Sequence, residues 1–183
     1  KRIVLLIACL LTILSLNAKD DYRYRNITMN DGLTANAVRN IVQDKYGFIW
    51  FGTDNGLCRY DGKKVQPYRI PELGVSQYVS ALMADDEGLF VGTQKGVFML
   101  RSDHQSFERL PMDIHSTVTY LSRDKEGNLW VATMEQGVWC LMAGAQVKHY
   151  SFKEVDGFIS QVYIDRDNQI WTVTNRGEPV VQR

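Results

Sequence analysis

The chain has 183 residues, with 21 basic and 21 acidic side chains that cancel to no net charge. Balanced, interspersed charge gives no electrostatic footprint for nucleic acid or an anionic membrane surface. A hydrophobic content of 45% and an aromatic content of 11% supply a packed core and exclude a disordered chain.

In chain order, Lys1 and Arg2 form a short positive region, and Ile3 to Leu16 are almost entirely apolar. Leu16-Asn17-Ala18 then places a small residue at a cleavage point. That order predicts a secretory signal peptide over 1–18, and the apolar run falls short of the roughly 20 residues that span a bilayer. Cys9 leaves with the signal. Cys58 and Cys140 lie in no metal-ligand spacing and read as two unpaired buried thiols.

From residue 44 onward one pattern recurs: DKYGFIWFGTDNGL (44–57), DDEGLFVGTQKGV (85–97), DKEGNLWVATMEQGV (124–138) and DRDNQIWTVTNRGE (165–178). The central aromatics Trp50, Phe90, Trp130 and Trp171 are spaced by 40, 40 and 41 residues. Val38, Val79, Val118 and Ile159 each precede the repeated Asp by six positions, within runs of alternating apolar residues. Short apolar runs bounded by Gly, Asp and Asn predict strands. Four strands in about 40 residues match one blade of a β-propeller. The expected class is all-β, with blades of four antiparallel strands over 19–183. Blades run roughly over 33–70, 76–111, 115–152 and 156–183, the last carrying only strands a, b and c. A lone closing strand is expected over 22–28. In each copy Asp caps the a–b turn, the aromatic of strand b packs between blades, and a tight b–c turn follows. The phase of the repeat leaves two readings: the ends pair into a compact four-bladed ring, or the blades form part of a larger, seven-bladed ring.

The segment NDGLTANAVRNIVQDKYGFIWFGTDNGLCRYDG (30–62) resembles the two-component regulator propeller repeat. It carries D-G-L-x-x-x-x-V, then D-x-x-G-x-x-W-x-G-T-x-x-G-L, then R-Y-D. Later copies depart from it: Phe90 replaces Trp one residue early, and Ala132 and Asn168 replace Gly. The resemblance implies the periplasmic sensor region of a hybrid two-component system, responsive to carbohydrate and here without its kinase. It also implies periplasmic localisation, and membrane contact only through parts outside this chain.

No Ser, Cys or His stands in a nucleophile motif. Asp44, Asp85, Asp124 and Asp165 occupy the same turn of different blades and read as turn caps, whereas glycosidase chemistry needs two carboxyl groups within about 5–10 Å. No catalytic residue, metal or cofactor is expected. The ligand-binding candidates are the loops of one rim: Asn36, Arg39, Asp54, Asn55, Tyr78, Gln94, Lys95, His115, Glu135, Asn175 and Arg176. Their amides, charges and ring suit a sugar. The expected partners are an oligosaccharide and either a second copy or further blades. The alternatives are a carbohydrate-active lyase or glycoside hydrolase, or a protein-interaction scaffold.

Overall fold

Alternating apolar residues, cut by Asp- and Gly-containing turns, fold each repeat into a small antiparallel sheet. The computed structural model describes residues 24–101, 103–143, 145–152, 158–177 and 179–182; the predicted signal peptide lies outside them. The first sheet pairs β1 (Val38–Gln43), β2 (Ile49–Thr53), β3 (Gly56–Tyr60) and β4 (Val65–Tyr68) in that order. The second pairs β5 (Val79–Ala84), β6 (Leu89–Thr93), β7 (Gly96–Leu100) and β8 (Phe107–Arg109). The third pairs β9 (Val118–Arg123), β10 (Leu129–Thr133), β11 (Val138–Leu141) and β12 (Val147–Tyr150). The fourth has three strands, β13 (Ile159–Ile164), β14 (Ile170–Thr174) and β15 (Pro179–Gln182). These four sheets are the blades of a β-propeller, and their first strands stand side by side: β1 by β5, β5 by β9, β9 by β13.

The core lies between blades. Trp50 is fully buried with Leu57 of its own blade and Val79, Leu82 and Phe98 of the next. Phe90 meets Val118, Leu121 and Val131 in the same way, and Trp130 meets Ile159 and Val162. Close stacking depends on one position of strand b. A Cβ on Gly52 would lie 2.8 Å from Cγ1 of Val79, and one on Gly92 would lie 2.6 Å from Cγ1 of Val118 and 2.9 Å from Cβ of Ala81. In the b–c turn of the third blade Gly137 has φ 77°, a left-handed conformation, and a Cβ there would collide with the Tyr150 carbonyl.

Among the described residues nothing covers the two end faces. Ile41 is 63% exposed, whereas its counterparts Leu82, Leu121 and Val162 are buried. At the other end Tyr163 is 66% and Trp171 38% exposed, while Trp50 is 0%. The first and last blades therefore do not close on one another as a four-bladed ring. The expected lone strand at 22–28 is also not a strand in its described part, 24–28. Its proposed edge partner, β15, pairs only with β14 among the described residues. Instead Thr28 caps a 3-10 turn at Met29–Asp31, with Asp31 bonding back to the Thr28 N–H. Ile27 packs on Leu33, Phe51, Cys58 and Val65.

Candidate functional site

Antiparallel pairing puts the d–a loops and b–c turns on one rim and the a–b and c–d turns on the other. A threonine at the end of each strand b shapes the first rim. Thr53, Thr93 and Thr133 are fully buried and Thr174 nearly so. Thr53 Oγ1 donates to the Gly56 carbonyl at 3.0 Å and accepts the Asn55 N–H at 3.1 Å. Thr93 repeats both bonds with Gly96 and Lys95, and Thr133 with Gly137 and Gln136. Residues 54 and 55 are thereby fixed outward at the tip of a two-residue turn.

The inner strand contributes a β-bulge at the same height in every blade. Register shifts fall between Val38 and Asn40, Val79 and Ala81, and Ile159 and Gln161, and at Val118 opposite Thr133. The residues set out of register are Arg39, Ser80, Thr119 and Ser160. A bulge re-aims its side chain and recurs next to functional sites. Ser80, Thr119 and Ser160 turn their hydroxyls to the carbonyls of Gly92, Ile159 and Val173. Arg39 instead reaches the b–c turn as a fork: Nε donates to Oδ1 of Asp54 at 2.6 Å, and the other arm donates to Oδ2 at 2.9 Å. The bond from Arg39 holds the Asp54 carboxyl below the usual range, and the same bond raises the guanidinium further. Arg39 and Asp54 are thus brought together on the rim of the first blade, partly open to water, with Tyr78 of the second blade within electrostatic reach.

The other candidates are scattered along the rim. Asn36 is structural, its Oδ1 accepting the Met29 N–H at 2.9 Å. Asn55 and Gln94 are exposed turn residues. Lys95 Nζ donates to the Glu72 carbonyl across the seam. His115 pairs with Asp113 at 2.8 Å, and its N–H donates to Gln136. Glu135 is tied through its N–H to Ser116, and Asn175 accepts the Phe158 N–H. The Arg176 N–H donates to Thr174 Oγ1. Sequence reasoning missed Gln136, whose amide binds both His115 and the Asp113 carbonyl. It named Arg39 but missed the other bulge residues, Ser80, Thr119 and Ser160, whose one signal was their shared offset from the repeated Asp.

On the opposite rim the repeated Asp residues are turn caps, and they also clasp the neighbouring aromatic. Asp44 Oδ1 accepts the Tyr46 and Phe48 N–H groups, and Oδ2 accepts the Trp50 indole at 2.8 Å. Asp124 holds Trp130 and Asp165 holds Trp171 in the same way. Phe90 has no N–H to give. Asp85 Oδ2 accepts Arg123 Nε of the next blade at 2.5 Å instead, and that guanidinium also pairs with Glu87. All four carboxylates are committed to bonds of this kind. Among the described residues no group of three His, Cys, Asp or Glu is placed to hold a metal, and no helix is long and apolar enough to cross a membrane. Cys58 and Cys140 are buried free thiols.

A family model described as two component regulator propeller matches residues 32–55 and 113–135, each span holding a strand a, the Asp–Trp clasp and a strand b. Two stretches of the chain thus match the two-component regulator propeller repeat. The chain is similar to Histidine kinase P4 of Formosa agariphila, with 39% identity over 57 residues, covering 31% of this chain and 4% of that protein. The extracellular domain of a hybrid two-component system from B. thetaiotaomicron superposes with a TM-score of 0.76 at 20% identity, over 90% of this chain and 24% of that one. The chain therefore spans about a quarter of that domain and a small part of the kinase. A virginiamycin B lyase from Staphylococcus aureus shares the fold at a TM-score of 0.62 and 15% identity, covering 88% of this chain and 59% of that one. Fold alone thus does not separate a sensor propeller from an enzyme.

Proposed function

We propose that these repeats form part of a non-catalytic, periplasmic sensory propeller of a hybrid two-component protein, in which the b–c rim binds a carbohydrate fragment. The observation that carries this reading is the Arg39–Asp54 fork, placed on a bulge at the rim, with Tyr78 of the next blade within electrostatic reach. A planar pair of charged groups offers donors and acceptors to vicinal hydroxyls, and a ring beside it can stack on a sugar face. The pair is oriented by rigid strands, so little ordering is needed on binding. The similarity to an extracellular domain of a hybrid two-component system and to a histidine kinase supports the signalling assignment. The commitment of all four repeated Asp residues to turn and neighbour bonds argues against their use as a hydrolytic pair. Ligand binding across the seam would favour one arrangement of neighbouring blades, and a membrane-spanning kinase elsewhere in the protein would respond to that shift.

Calorimetry against a panel of oligosaccharides, with chromatography of the recovered sugars, tests the reading. The expected result is saturable binding without turnover, lost in Arg39→Ala. Product formation, or binding that Arg39→Ala leaves intact, would refute it.

A further inference from the structure

The second blade departs from the repeat twice on one face. Its strand b has Phe90 where the adjoining blades have Trp50 and Trp130, and Leu110 follows its strand d where they have Tyr68 and Tyr150. In those blades the two rings pack together, with centroids 4.9 Å apart in the first and 5.5 Å in the third. The second blade has no such pair, and the seam it shares with the third blade contains a cavity of about 390 Å³. The matching seam one blade earlier holds only about 80 Å³. Equivalent residues line the far walls of both: Gly88, Leu89 and Leu100 in the small one, Gly127, Leu129 and Leu141 in the large one. The difference lies on the near side: the small space is lined there by Asp44, Lys45 and Tyr46 alone, whereas Phe90, Met99 and Leu110, at the positions of Trp50, Arg59 and Tyr68, line the large one.

The wall is mostly apolar, with Met142 completing it, and the polar groups sit together at one side. Arg123 lies 5.0 Å from the Phe90 ring centroid and is held by Asp85 and Glu87. Two carboxylates answer one guanidinium, so an anion would find no free cation there. In the other three blades an indole N–H meets the repeated Asp on this rim. Enclosed apolar cavities bind small aromatic molecules when these are available, and this cleft, open to solvent on one side, offers walls of the same kind.

We propose that the seam between the second and third blades is a binding site for a small, uncharged aromatic compound bearing an N–H or O–H donor, of the indole or phenol class. The ligand restores the ring pair that this blade lacks and presents its donor to the Asp85–Glu87 side. The site lies on the rim opposite Arg39 and stands whether or not that rim binds sugar.

The probe is indole, titrated into the chain carrying ¹³C-methyl methionine. Met99 and Met142 line the cavity and Met29 does not. The expected result is a saturable shift of the Met99 and Met142 methyls with Met29 unmoved, and binding weakened at least about tenfold in Leu110→Tyr, which refills the space. Where Leu110→Tyr fails to fold, Met99→Phe fills the same wall and is read through Met142. Indole-3-acetate is expected to bind more weakly than indole. The proposal is overturned by the absence of a saturable shift, by equal binding to a folded filling variant, or by tighter binding of the acetate.

Discussion

Removing the clasp carboxylate from two blades gives a matched test of what burial does to one hydrogen-bond set. Asp44 and Asp165 each accept two turn N–H groups and one indole N–H, with indole distances of 2.8 and 2.7 Å. The two sites differ in cover, since Trp50 is 0% exposed and Trp171 is 38%. In Asp44→Ala the Trp50 indole keeps its place in the seam and loses its only acceptor. An orphaned buried donor costs about 1–3 kcal/mol, and the lost turn bonds add about 1 kcal/mol, because water replaces them in part. The expected loss is about 2–4 kcal/mol, which at about 2–4 °C per kcal/mol for a chain of this size lowers Tm by roughly 4–16 °C. In Asp165→Ala water reaches the Trp171 indole and the loss is much smaller. Urea unfolding followed by circular dichroism, with the m-value checked for constancy, reads both variants. Equal losses, or a neutral Asp44→Ala, would show that burial of the indole does not set the cost.

The remaining predictions concern packing, titration and reactivity. Gly92→Ala is expected to destabilise by about 1–3 kcal/mol through overpacking, because the added methyl meets the backbone-anchored Cβ of Ala81. Gly52→Ala meets only the outer atoms of Val79 and Leu82 and should cost less; the reverse order in thermal melts would refute this packing account. The Ser106 hydroxyl and the Ser106 and Gln105 N–H groups hold the Asp103 carboxyl down at about 2. A depressed folded pKa contributes stability above the unfolded value of about 3.9 that is lost as pH falls toward 2. Carboxyl NMR should therefore show Asp103 titrating near 2 and moving upward in Ser106→Ala, and an unmoved midpoint would exclude the hydroxyl as the main cause. Burial pushes the Cys140 thiol up to about 11, and Cys58 is fully buried. Neither should react with a disulfide reagent until denaturant is added, and rapid native labelling would contradict the described core.

The architecture was legible because its signals are local. The Asp caps, the strand-b aromatics and the b–c turns each fall within about fifteen residues and recur four times, the third turn with one extra residue. Trp50 was readable as a seam residue for the same reason. The site was legible only as a rim. Arg39 and Asp54 stand 15 positions apart, and their meeting depends on a bulge that alternation of residue types does not reveal. Gln136 stayed hidden because its role is to bond the loop of another strand. The 24–28 segment read as a strand from its likeness to the outer strands, but a strand exists only where an edge receives it. Phe90 was visible as a departure from the repeat. Its consequence was not, because a cavity depends on what Leu110 and Met99 place opposite.

The clasp has a consequence for how such arrays grow. Asp44, Asp124 and Asp165 orient their indoles from within their own blades, six residues away. The surface a blade offers to its successor is therefore set before any successor is present. A duplicated repeat inherits a finished mating face with no matching change in its neighbour, so blade number can change by copying alone. Phe90 marks the one blade whose repeated Asp is served from its neighbour, since Asp85 accepts Arg123 of the third blade. The second and third blades are accordingly the pair least free to be separated or reshuffled.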